Sequence, residues 1–140
     1  MSQDFSRNRR RVLGWVTLVG GILMLLFWTL YFTGGFDFGQ GDTLLSAFES
    51  AFPVADGVLG LTLFAAGIGL LRREPAGTFC FAVAAAMSLY LGVVDMTFYA
   101  RQGFLVPLGR EGLIALALSS LCVGGGLFGL RFGWVLWREE

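Results

Sequence analysis

Residues 88–102 read SLYLGVVDMTFYARQ and close an apolar run that begins near residue 76. The run is too long for an ordinary core helix, yet it carries an acid, Asp95, about four residues before its wet end. A charged side chain at membrane depth costs roughly 2.5–3.5 kcal/mol on insertion scales, so its presence marks a candidate site. On a helix, Ser88, Gly92, Asp95, Tyr99 and Gln102 follow one another at steps of four and three and share one face. The segment thus has a single polar-or-small stripe on a greasy circumference.

Composition places the whole chain in the same class. Of 140 residues, 56% are hydrophobic and 14% charged, whereas soluble domains carry about 25% charged residues. The mean hydropathy is +0.72. An all-α membrane protein follows, in one compact unit. Zero formal net charge argues against nucleic acid, since no basic domain exists to neutralise phosphates. All ten basic residues are arginine, and the chain has neither lysine nor histidine. Schiff-base chemistry, imidazole acid–base work and the commonest metal ligand are therefore absent, and no metal or cofactor is expected. Cys80 and Cys122 sit far apart in apolar runs and read as small hydrophobes.

Four spans can be drawn, at about residues 12–33, 54–71, 76–99 and 112–136. Residues 1–11 form a polar arm carrying Arg7, Arg9, Arg10 and Arg11. The first apolar run is about 33 Å long as a helix, longer than a signal-peptide core, and is expected to be a retained span. Residues 12–138 then make a single four-helix antiparallel bundle. Within the outer loop, 34–53, a short amphipathic helix is expected, with Leu44, Leu45, Phe48 and Phe52 on one side and Ser46, Glu49 and Ser50 on another. Arg72-Arg73-Glu74-Pro75 is so short a turn that spans two and three must be antiparallel neighbours.

Arginine placement sets the expected orientation. With the N-terminus inside, eight arginines lie at or near the inner side and two, Arg101 and Arg110, outside. Both termini are accordingly expected in the cytoplasm, with the bundle in a bacterial-type inner membrane. A faint repeat, WTLYFTGGF (28–36) with MTFYARQGF (96–104) and GIGLLR (67–72) with GLFGLR (126–131), suggests two tandem helical hairpins.

Each span also offers a stripe. Span one has Thr17, Gly21, Met24, Trp28 and Tyr31; span two has Glu49, Pro53, Asp56, Gly60 and Gly67; span four has Ser119, Cys122, Gly126, Gly129 and Gly133. Small residues on one face let helices approach closely in lipid. Gly125, Gly129 and Gly133 form a competing ridge on span four, which could serve homo- or hetero-oligomer contact.

Because spans two and three run in opposite directions, Asp56 and Asp95 come to similar depth, with Glu49 seven residues before Asp56. Carboxyls withdrawn from water beside one another cannot all ionise cheaply. They can bind a cation, share a proton, anchor a basic ligand or act as acid and base in an isomerisation. The structural alternative satisfies each acid locally, through Arg101, Arg110, Tyr or Thr hydroxyls, or backbone. The expected site comprises Glu49, Asp56, Asp95 and Tyr99, extended by Trp28, Tyr31, Arg101 and Gln102. Three functions are open: a binding protein for a small amphiphilic or cationic ligand, proton or cation; an interaction subunit packing through the glycine ridge; and a lipid-modifying or isomerising enzyme. The inner half has no acid, which counts against transport.

The pattern ExxFPxAD at residues 49–56, followed by LGxxD at 91–95, resembles small four-span integral membrane proteins of prokaryotes over residues 49–103, with no named enzyme family attached. The architecture is also similar to sterol-isomerase-like and sigma-2-receptor-like bundles, which bind amphiphilic amines beside buried acids. No motif of theirs carries over, so that likeness is of architecture alone.

Overall fold

The computed structural model describes residues 2–35, 43–103 and 109–138. They form five α-helices: α1 (Ser2–Phe32), α2 (Thr43–Glu49), α3 (Phe52–Arg72), α4 (Pro75–Gln102) and α5 (Arg110–Trp137). Four segments, α1 from Arg7, α2 with α3, α4, and α5 from Gly112, are long and apolar enough to cross a membrane. The chain is a multi-pass helical membrane protein.

Helix α1 starts well before the apolar run, so the basic arm is helical too. No glycine or proline interrupts residues 2–13, and long arginine side chains suit a helix surface. One of them reaches the far end of the chain: Arg10 donates to the Leu136 carbonyl of α5 at 3.5 Å. Carbonyls in the last turn of a helix lack intrahelical partners, so this contact supplies one.

Between α2 and α3 the backbone bonds continue, Ser50 N–H to Ser46 O at 3.0 Å and Ala51 N–H to Phe48 O at 3.1 Å. Pro53 falls in the first turn of α3, where its missing N–H breaks nothing. The two helices make one apolar segment rather than a loop followed by a span. The amphipathic reading of α2 needs correction at two residues. Glu49 is buried with Leu45, while Leu44 is exposed. Tyr99 waits on the buried side with a hydroxyl donor, which makes that side suitable for the acid.

Neighbours follow chain order: α1 packs on α3, α3 on α4, and α4 on α5. The turn between α3 and α4 is tight. Arg73 takes the left-handed conformation (φ 61°), and Glu74 N–H returns to Gly69 O at 2.9 Å. Here Gly69 meets Gly77 backbone to backbone; a Cβ on Gly69 would lie 2.8 Å from Gly77 N.

Both hairpins close on glycine. In α1/α3, a Cβ on Gly67 would lie 2.6 Å from Leu18 Cγ and 2.9 Å from Gly14 O. In α4/α5, a Cβ on Gly126 would lie 2.6 Å from Leu89 Cβ and 2.8 Å from Ala85 O. Gly67 and Gly126 are the aligned glycines of the faint repeat, and each sits in the seam of its own hairpin. Gly129 and Gly133 face Ala85 and Ala82 of α4, whereas Gly125 faces open space. The stripe through Ser119, Cys122 and Gly126 is therefore the packing face, and the ridge through Gly125 is split between two sides of α5.

Three core clusters stack along the bundle. One end holds Leu13, Ala66, Leu70, Phe81 and Leu136. The middle holds Leu59, Ala84 and Leu91. At the other end Leu45, Tyr99 and Ala115 pack with Phe48, Phe98 and Ile114. Arg7–Arg11, Arg72, Arg73, Arg131 and Arg138 surround the first cluster in chain position, and the three acids lie toward the last.

Candidate site at the acidic end

The site is built from all five helices. Tyr99 is buried on α4, and its hydroxyl donates to Glu49 Oε1 of α2. Trp28 is buried on α1, and its indole Nε1–H donates to Asp56 Oδ2 of α3 at 2.9 Å. Two acids thus accept from aromatic donors whose rings are apolar and whose polar tips are short, which satisfies a carboxylate without bringing in a second charge.

Asp95 differs. It is half-buried on α4, one helical turn before Tyr99, and close enough to Glu49 and Asp56 to feel both of their charges. Among the described residues it accepts no hydrogen bond and forms no ion pair. Opposite it stands α5. Gly92 packs against Cys122 and Val123, and Tyr99 shares a cluster with Ala115. This antiparallel register places Ser119 level with Asp95. Ser119 is 1% exposed, and its hydroxyl has no partner among the described residues. A turn further along, Ser88 donates to the Cys122 carbonyl at 3.0 Å and ties α4 to α5 beside the same stripe.

Aromatic side chains wall the α2 side. Phe48 and Phe98 stack with centroids 3.6 Å apart, and Phe52 and Tyr99 meet Phe48 edge-on. Trp28 carries Tyr31 on its edge at 5.3 Å.

Of the residues expected from sequence, Glu49, Asp56, Asp95, Tyr99 and Trp28 are brought together, and Tyr31 touches the group through Trp28. Arg101 and Gln102 are exposed at the end of α4, and Arg101 makes no ion pair with Asp95. Arg110 is likewise exposed. An arginine stem is long enough to reach outward from a helix end, and Arg101 at the end of α4 and Arg110 at the start of α5 both do so. Sequence reasoning missed Ser119 as a site residue. Its signal was present, since it heads the packing stripe of α5, but a lone serine in such a stripe reads as a small spacer. Among the described residues no three Asp, Glu or Cys groups converge closely enough to hold a metal ion.

The cluster offers two unsatisfied acceptors, the Asp95 carboxylate and the Ser119 oxygen, inside an aromatic, water-poor surround. Such an arrangement suits a group that only donates and carries positive charge. Comparison with protein-family models, curated proteins and solved structures finds no match to this chain.

Proposed function

We propose that the protein is a non-catalytic membrane receptor for a small amphiphilic amine, taken up at the acidic end of the bundle. The observation that carries this reading is Asp95: Glu49 and Asp56 beside it have donors, and it has none. An alkylammonium supplies up to three N–H donors and one positive charge. It would serve Asp95 and Ser119 together, with the rings of Trp28 and Tyr99 available for cation–π contact. Its apolar tail would stay among the lipid-facing side chains.

The same reading places the chain among small four-span proteins of the prokaryotic inner membrane. The excess of arginine at one end, eight against two, supports cytoplasmic termini, and on that reading the amine site faces the outer leaflet. The inner half of the spans has no partner acid, which counts against a carrier.

The test is thermal unfolding of the detergent-purified protein against medium-chain alkylamines and the matching alcohols. The amine should raise the midpoint in the parent, the alcohol should not, and Asp95→Asn should abolish the response while remaining folded. Equal shifts from amine and alcohol would mean that only the tail is recognised. A response retained by Asp95→Asn would remove the site.

A further inference from the structure

The opposite end carries a second feature. On the last two turns of α5 and the residue that caps it, Arg131, Trp134, Val135 and Arg138 line an open cavity of about 500 Å³. Arg131 and Arg138 are seven residues apart and so lie on one helical face, about 10 Å from each other along the axis. Both are exposed, and among the described residues neither guanidinium has a carboxylate partner. Adjoining this cavity is a narrower one of about 250 Å³ between α4 and α5, lined by Phe79, Ala82, Leu130 and Trp137 among others. Trp134 is the wall shared by both.

The two cavities differ in chemistry in the way the two halves of a phospholipid differ. One offers paired guanidinium groups, each a planar fork of N–H donors that fits phosphate oxygens. The other is an apolar groove on the α4 side of Trp134, reaching from Trp137 to Leu130 along α5 and from Thr78 to Ala82 along α4. We propose that this end of α5 binds an anionic phospholipid of the apposed leaflet, with the headgroup phosphate between Arg131 and Arg138 and an acyl chain along Phe79, Ala82 and Leu130. Charge complementarity selects the anionic headgroup, because two cations border the cavity and, among the described residues, neither has a carboxylate partner and no acid lines it. The apolar groove selects a lipid over a soluble phosphate. Trp134 and Trp137 stand at the level where indole rings favour the membrane interface. The proposal is independent of the amine site, which lies at the other end of the bundle.

The full-length protein in neutral detergent, with phosphatidylglycerol, phosphatidylcholine or glycerol phosphate added, supplies the test. Retention is read by native mass spectrometry, and stabilisation by thermal unfolding. Phosphatidylglycerol should be retained and should raise the midpoint; the other two additives should do neither. Arg131→Gln and Arg138→Gln should each weaken retention roughly fivefold, the expectation for one basic residue beside anionic lipid. Both positions are exposed, so the variants should unfold at the parent's temperature when no lipid is added. Arg110→Gln, which removes a cation from the other end, should leave retention unchanged. Equal retention of phosphatidylcholine, or undiminished retention in the double arginine variant, would overturn the proposal. Displacement of the lipid by glycerol phosphate at a similar concentration would make the site one for a soluble anion and overturn it equally.

Discussion

The two ends of this bundle handle charge in opposite ways. At the arginine end most of the charges are carried on long stems and stand outside: Arg11, Arg72, Arg73, Arg131 and Arg138 are exposed, while Arg9 and Arg10 are half-buried. At the acidic end the charges turn inward, with Glu49 buried and Asp56 and Asp95 half-buried. Reach explains much of the contrast. A guanidinium can climb from a helix in lipid to the headgroups, whereas a carboxylate on one or two methylenes cannot. An acid placed within a span must therefore be met by protein. Tyr99 and Trp28 do this for two of the three, and the third is left for something else. One end is stabilised by its surroundings; the other depends on its own side chains.

Breaking the frame that both ends share should have the largest effect. Gly126→Leu drives a side chain into Leu89 and the Ala85 carbonyl, and overpacking of this kind costs about 3 kcal/mol or more when backbone lies in the way. Thermal unfolding should show a large loss, or no folded protein at all, while Gly125→Leu one residue earlier is tolerated. If both variants behaved alike, α5 would be rotated from the orientation described.

The next effect sharpens the contrast at the acidic end. Tyr99→Phe removes the donor to Glu49 and leaves a buried acceptor unmet, at a cost of about 1–3 kcal/mol. Adding Glu49→Gln to that variant should recover part of the loss. Strict additivity in this double-mutant cycle, read by unfolding midpoints, would show that the two side chains do not act as a pair.

Trp28→Phe keeps most of the ring but loses the bond to Asp56, so a smaller loss of about 1 kcal/mol is expected. Smallest of all should be Arg101→Gln, which lies on the exposed end of α4 and should stay within about 0.5 kcal/mol of the parent. A clear destabilisation by Arg101→Gln would mean that a cation does neutralise the acidic end.

Much of this arrangement was legible in the sequence because membrane helices make periodicity unusually informative. Asp95 and Tyr99 on one face, Trp28 near the end of α1, and Asp56 opening α3 all follow from spacing and antiparallel order. Glu49 was legible as a member of the group and illegible in orientation. A helix of seven residues has too few turns for its polar side to be distinguished from its buried side, and the decisive partner is fifty residues away in the chain. For α5 the sequence left two rotations open, since glycines at 125, 126, 129 and 133 satisfy either, and only the positions of Ala82, Ala85 and Leu89 across the seam decide. Gln102 enters the expected site by continuing a stripe to the exposed end of α4, and Arg101 enters it as a nearby cation for the acids. Periodicity does not say where contact stops.

The turn at Arg73 and Glu74 has a consequence for how the gene can vary. Gly69 and Gly77 touch backbone to backbone directly behind it, and Arg73 already sits in a left-handed conformation that few side chains adopt. A single inserted residue would have to be absorbed by rotating α4 about its axis, about 100° per residue on an α-helix. That rotation would carry Asp95 and Tyr99 away from Asp56 and Glu49 at the far end of the membrane. Length at this hairpin is therefore tied to chemistry some twenty residues away: an insertion far from the acids would silence them without touching one.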